Sequence, residues 1–186
     1  VDQFKSLTRA QEIHVIALPL RPLVEASCQT ARDQGIACQI DCPASLRILG
    51  DPDRLAECFD ELVRNAIRWF DKPEKKLEIV AVAPTTSSLP PDLDSSKRYA
   101  VVHFRDNGVG IPLENKAKIF DAFFTTNDQG TGLGLALARR IVEGHGGAIF
   151  EAGLPGAGVD FEIYLPLAED DVDTSIGKRA EAMKQS

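Results

Sequence analysis

Gly130-Thr131-Gly132-Leu133-Gly134-Leu135 decides how this chain is read. Three glycines alternate with Thr131 and Leu133, and an apolar helical pattern then runs from Leu133 to Glu143. Glycines let backbone approach a ligand closely. A helix start leaves N–H groups without partners and carries partial positive charge from the dipole. Together they suit a phosphate chain. The segment is not a Walker loop, because no Gly-Lys-Ser/Thr follows. Nor is it the dinucleotide fingerprint, whose third glycine falls one residue later. Taken alone, it reads equally well as a tight turn into a helix. Gly144, Gly146 and Gly147 close that helix.

Upstream stands a second glycine segment, Arg105-Asp106-Asn107-Gly108-Val109-Gly110-Ile111-Pro112, leaving a strand predicted over Tyr99 to Phe104. Asp106, at the strand's end, can accept a hydrogen bond from an exocyclic amine such as that of adenine. A plain Asp-Asn-Gly turn is the rival reading. Further upstream, Gly50-Asp51-Pro52-Asp53 starts a helix, with Asp51 as cap and Pro52 in the first position. Leu55, Cys58, Phe59, Leu62, Val63, Ala66, Ile67 and Phe70 form its apolar stripe. Glu61, Asn65 and Arg68 share one margin of that stripe. An Asn oxygen suits Mg²⁺ when phosphates supply the charge. Arg68 can neutralise phosphate, and Glu61 can order water or take a proton. The plainer reading is a solvated face with Arg64 paired to Asp60 or Glu61.

Outside these segments, Ala17 to Gln34 reads as one helix, with Pro22 in its first turn and Gly35 stopping it. Ile36–Cys42, Arg47–Leu49 and Leu77–Ala83 read as extended, and Leu113–Ile119 as a short helix. Ala148–Ala152 and Gly158–Leu165 make a closing hairpin with Pro155-Gly156 in the turn. Residues 84–97, rich in Pro, Ser, Thr and Asp, read as a loop without an evident task. Strands joined by short loops, alternating with helices, predict an α+β fold: a two-layer sandwich whose mixed, mostly antiparallel sheet carries about three helices on one face.

Composition narrows the function. The chain has 186 residues, 44% hydrophobic and 26% charged, which suits one domain. A net charge of −7 argues against nucleic-acid binding, which needs basic surface. No apolar run approaches the ~18 residues of a membrane span. The four cysteines lack zinc spacing, so we expect reduced structural thiols in a cytoplasmic setting. Because the first residue is Val, a piece of a longer protein is expected.

Each segment is weak alone; their order is specific. Glu61-Leu62-Val63-Arg64-Asn65-Ala66 resembles the N box of the ATP-binding domain shared by histidine kinases, gyrase, mismatch-repair ATPases and related chaperones. Asp106 to Pro112 resembles its G1 box, and Gly130 to Ala136, continuing to Gly144-His145-Gly146-Gly147, its G2 box. Ile119-Phe120-Asp121-Ala122-Phe123-Phe124-Thr125-Thr126 resembles the F box, which points to the histidine-kinase branch. The likeness covers roughly residues 15–167, leaving 1–14 as the end of a preceding helix or linker and 168–186 as a polar tail.

The resemblance implies ATP and Mg²⁺ as cofactors and the Bergerat ATP-binding fold. It implies that Asn65 coordinates Mg²⁺, that Asp106 contacts the adenine amine, and that Gly108 and Gly110, with Ile111 beside them, shape the adenine side. Gly130, Gly132 and Gly134, with Thr131, Leu133 and Leu135 between and after them, would line the phosphates. Arg68 stands at a phosphate-contacting position, with Lys72 a second such candidate, and Trp69 where an aromatic ring walls the pocket. Phe123 and Phe124 would anchor a short lid at about Thr125, Thr126 and on to Gln129. The implied partners are a helical-hairpin domain carrying the acceptor His and a downstream response regulator. None of the three histidines suits that acceptor role: His14 lacks the acidic neighbour, His103 lies in a strand and His145 belongs to the G2 segment. A rival stays open, an ATPase or serine-kinase relative using the same pocket, since in gyrase-like relatives a Glu at position 61 activates water for ATP hydrolysis. A degenerate module that binds nucleotide or a partner without catalysis is the third possibility.

Overall fold

A computed structural model describes residues 13–83, 89–127 and 130–168. The stretches read as a preceding helix (1–12) and as most of the polar tail (169–186) lie outside these. In chain order come β1 (Ile16–Pro19), α1 (Leu20–Ser27), α2 (Gln29–Asp33), β2 (Ala37–Asp41), β3 (Arg47–Gly50) and α3 (Pro52–Trp69). Then follow β4 (Lys76–Val82), β5 (Tyr99–Asp106), α4 (Leu113–Lys116), α5 (Gly134–Gly144), β6 (Ala148–Glu151) and β7 (Asp160–Pro166). The five-stranded sheet runs β2-β4-β5-β7-β6, with β2–β4 parallel and the other pairs antiparallel. It is the expected α+β, two-layer arrangement. Leu77, Ile79, Phe104, Phe161 and Ile163 point from it into one core with Leu55, Phe59 and Leu62 of α3 and Leu137 of α5. Phe59 meets Phe104 with ring centroids 5.1 Å apart.

Two predicted helices come out differently. Residues 17–34 are not one helix. Residues 16–19 form β1 instead, antiparallel to β3 with Leu18 opposite Ile48, and only from Leu20 does the chain turn helical. Pro22 does sit in the first turn, where its missing N–H has no intrahelical partner to lose. The Ser27 hydroxyl donates to the Val24 carbonyl at 2.9 Å, and the Cys28 N–H reaches that carbonyl only at 3.3 Å. Such back-bonding bends helices, and here α1 gives way to α2. The second helix, expected over Leu113–Ile119, ends at Lys116.

Asp51 is the cap expected for α3, and it does more. Oδ1 accepts from the N–H groups of Asp53 (3.1 Å) and Arg54 (3.2 Å), while Oδ2 accepts from the His14 N–H at 3.0 Å. Its own N–H donates to His145 Nε2 at 2.9 Å, and His145 Nδ1 lies 2.7 Å from the Ile141 carbonyl. Those two contacts require the proton on Nδ1, so His145 is a buried brace between α5 and α3. Burial pushes the Asp51 carboxyl up, but the three backbone donors outweigh it and hold the group below its ordinary value. Its stabilising contribution is therefore present above the ordinary carboxylate pKa and lost as pH falls through the lower folded value. Asp51→Ala should cost about 1–2 kcal/mol at pH 7 in urea unfolding, and the deficit should shrink as pH falls toward 3.

The loop without an evident task has a structural one where it is described. Leu89 and Leu93 pack over Tyr99, Val101 and Tyr164, on the sheet face away from the helices. That face also carries charge: Asp160 holds His103 Nδ1 and Arg105 Nε, both at 2.9 Å, and Arg105 reaches Glu78 at 3.4 Å. All four cysteines are free thiols. Burial pushes the Cys28 thiol up to about 12, and the Cys58 thiol upward too, which leaves both unreactive. No helix among the described residues is long and apolar enough to cross a membrane.

Candidate nucleotide site

Between the C-terminal half of α3 and the arc running from Val109 to Leu135 lies a cavity of about 510 Å³. Three parts of the chain contribute most of its lining. From α3 come Glu61, Arg64, Asn65, Arg68 and Trp69; the glycine turn after β5 adds Gly110 and Ile111. The third wall is Phe124, Thr125, Thr126, Thr131, Gly132, Gly134 and Leu135, ending at the N-terminus of α5. The helical spacing 61, 65, 68 does put those side chains on one wall. α5 starts at Gly134, and its N-cap residue Leu133 makes no side-chain cap bond, as suits a helix start that takes an anion.

Glu61 has a buried side chain whose Oε1 meets Arg64 Nη2 at 2.6 Å. The plainer pairing is therefore present. A Cβ at position 134 would overlap Glu61 Oε2, so this carboxylate sits directly beside the start of α5. Arg64 lines the cavity too; its i, i+4 spacing to Arg68 was the signal that could have marked it.

Asp106 is half-buried, stands outside the residues that line the cavity and supports that lining. Its Oδ1 accepts from the N–H of Gly108 (2.8 Å) and of Val159 (3.2 Å). Burial pushes this carboxyl up, against the pull of those two donors. Asn107 straps the turn to the start of β4 and the loop before it: Oδ1 accepts from the Lys76 N–H at 2.9 Å, and Nδ2 donates to the Glu74 carbonyl at 2.7 Å. Gly108 is packed so tightly that a Cβ there would lie 2.6 Å from the Trp69 carbonyl oxygen. Gly110 has φ +72, and its Cβ would meet Gly156 N at 2.9 Å. Close approach requires glycine at both positions, and at Gly110 the left-handed backbone requires it as well.

At the two ends of the expected lid, backbone meets backbone. Phe123 N–H donates to the Gly132 carbonyl at 2.9 Å. Gly132 has φ +67, and a Cβ there would lie 2.7 Å from Phe123 Cα. Phe123 itself holds φ 69, rare for a bulky residue. Of the two rings expected to anchor the lid, only Phe124 packs against the core; the Phe123 side chain is 65% exposed. Here the backbone of Phe123 is the anchor. Asp128 and Gln129 of the expected lid lie outside the described residues.

Lys72, Gly108, Phe123, Gly130 and Leu133, like Asp106, stand outside the cavity lining. Gly130 is nevertheless close by, its Cβ position 2.6 Å from Thr125 Oγ1. Sequence reasoning missed Asn115, Ile119, Pro155, Gly156 and Val159. Pro155 and Gly156 belong to the β6–β7 turn, and only the fold brings that turn to the site. Among the described residues, no three His, Cys, Asp or Glu side chains could hold a metal together. A cation at Asn65 would thus need ligands from phosphate and water, which agrees with a carboxamide as the protein's contribution.

Residues 50–169 match the family model described as histidine kinase-, DNA gyrase B-, and HSP90-like ATPase. The signal transduction histidine-protein kinase AtoS of Escherichia coli is 50% identical over 72 residues, covering 39% of this chain and 12% of that protein. BaeS, a histidine-protein kinase of the same organism, is 30% identical over 161 residues, 81% of this chain and 32% of that one. This chain thus spans a third or less of these two relatives. Among solved structures, the catalytic domain of the histidine kinase ThkA superposes with TM-score 0.66 at 30% identity, over 82% of this chain and 95% of that one. This chain belongs to the histidine kinase-, DNA gyrase B- and HSP90-like ATPase family, and its fold is that of a histidine-kinase ATP-binding domain.

Proposed function

We propose that this chain binds Mg·ATP in the cavity beside α3 and delivers the γ-phosphoryl group to a histidine on a separate helical-hairpin domain. That transfer would serve two-component signalling, with a response regulator downstream and no nucleic-acid or membrane contact by this domain. Residues 15–167 would be the working unit, in the cytoplasm. One observation carries the reading: the Asn65 carboxamide, the basic Arg64 and Arg68, and the uncapped start of α5 meet in one cavity.

Bound Mg·ATP would supply the transferable phosphoryl group and a cation to spread its charge. In this reading Asn65 Oδ1 ligates the cation. Arg68 and Lys72 offset phosphate charge, and the amides of Gly132 and Gly134 serve the phosphate chain, the Gly130 N–H being held by the Asn127 carbonyl. Asp106 takes the adenine amine through Oδ2, since its Oδ1 already holds Gly108 and Val159. Trp69 and Ile111 wall the base. Catalysis is then positioning plus charge neutralisation.

Glu61 separates this reading from ATP hydrolysis. Its place beside Gly134 suits a water-activating base, but Arg64 holds Oε1, which favours a positioning role. Incubation with Mg·ATP and a cognate acceptor domain should label the acceptor, with little phosphate release when the acceptor is omitted. Rapid acceptor-free phosphate release, lost in Glu61→Gln, would establish the hydrolase instead.

A further inference from the structure

One buried ion pair has no part in the site as described so far. Lys116, the last residue of α4, pairs its ammonium with Glu151 Oε2 at the end of β6; the two side chains are 21% and 2% exposed. Lys116 Nζ also donates to the Gly153 carbonyl at 2.5 Å. Glu151 Oε1 accepts from the Gly153 N–H at 2.9 Å and lies 3.5 Å from the Asp160 N–H. Oε2 has no partner of good hydrogen-bond geometry, so the ammonium alone meets its charge. A buried carboxylate is tolerated only when paired.

The place of this pair gives it a task. α4 continues from the glycine turn through Ile111 and Pro112, and its Asn115 lines the cavity. Glu151 begins the turn whose Pro155 and Gly156 line the cavity opposite Gly110. The wall between is held by few contacts: Gly156 N–H donates to the Val109 carbonyl at 3.1 Å, and Val159 N–H to Asp106 Oδ1 at 3.2 Å. Leu113 and Leu154, the exposed residues on either side, are 73% and 72% accessible and contribute little packing. The Lys116–Glu151 pair adds a buried side-chain to side-chain ion pair between the two sides. Asp160, whose N–H lies 3.5 Å from Glu151 Oε1, directly follows Val159, which bonds Asp106, so the pair stands close to the residue assigned to the base.

We propose that Lys116 and Glu151 are positioning residues that clip α4 to the β6–β7 turn and so set the shape of the wall that receives the purine. This rests on the Mg·ATP reading above. The clip touches no ligand; it acts through Asn115, Pro155 and Gly156.

The test is calorimetric titration of the chain with Mg·ATP and, separately, Mg·GTP. Lys116→Met alone strands a buried carboxylate and risks the fold, so the deciding variant is the double Lys116→Met/Glu151→Gln. It leaves no buried charge and keeps the acceptor for the Gly153 N–H. We expect the double variant to stay folded and bind Mg·ATP about tenfold more weakly, with the ATP-to-GTP preference reduced. Lys116→Arg should keep both the affinity and the preference. A folded double variant with wild-type ATP affinity would overturn the clip, as would equal weakening for ATP and GTP. So would a Lys116→Arg chain that loses as much as the double variant. A wild-type chain that binds no Mg·ATP would instead overturn the function proposed above.

Discussion

Asn65→Ala should abolish phosphorylation of a supplied cognate acceptor domain while leaving the chain folded. Asn65 is half-buried on the cavity wall of α3, one turn from Glu61 and next to Arg64. Ala removes the carboxamide and nothing from the core, and it is the better helix former. The unfolding midpoint should hold or rise slightly. What is lost is the proposed protein ligand to the cation. Metal-borne charge stabilisation is worth several kcal/mol in a transition state, so the rate should fall by on the order of 10² or more. Phosphotransfer assays with labelled ATP, alongside thermal unfolding, check both halves. Normal transfer by Asn65→Ala would sink its assignment as the cation ligand.

Gly158→Ala should be the most damaging single methyl in the molecule. Gly158 has φ +103, and a Cβ there would overlap the Asp106 carbonyl oxygen and lie 3.0 Å from Asn107 Cα. Both obstacles are backbone and cannot rotate away. The next residue, Val159, exchanges hydrogen bonds with Asp106 on both sides: its N–H with Oδ1, its carbonyl with the Asp106 N–H at 3.0 Å. Relief of the overlap would pull β7 from β5 and undo the support of the base wall. A loss of more than about 3 kcal/mol is expected in urea unfolding. Gly146→Ala is the control. Its φ of +72 carries the same left-handed preference, but nothing lies within 4 Å of its Cβ, so only about 1 kcal/mol should be lost. Equal effects at the two positions would show that conformation, not close approach, sets the need for glycine at 158.

How legible this was depends on the range of the interactions. The α3 cap, its apolar stripe and the cluster at 61, 65 and 68 are set by neighbours within a turn or two, and the sequence pattern carries them. The glycine segments are legible as segments, although the contacts that demand glycine at 108 and 110 come from α3 and the β6–β7 turn. β1 was hidden because Ile16 to Pro19 gain their strand character only by pairing with β3, some thirty residues on; locally they blend into the helix after them. Phe123 reads like Phe124 in sequence, and only its positive φ turns it outward. The task of the loop at 89–93 appears only once Tyr99 and Tyr164 are seen side by side on the outer face of the sheet. Lys116 and Glu151 are thirty-five residues apart and carry no motif at all.

The central claim is that the cavity between α3 and the glycine segments is a Mg·ATP site. Calorimetric titration of the chain with ATP, with and without Mg²⁺, tests it most directly. The account predicts one site per chain, tighter with Mg²⁺ than without, and with the Mg²⁺ enhancement lost in Asn65→Ala. A folded chain that shows no saturable binding of ATP in the presence of Mg²⁺ would contradict it.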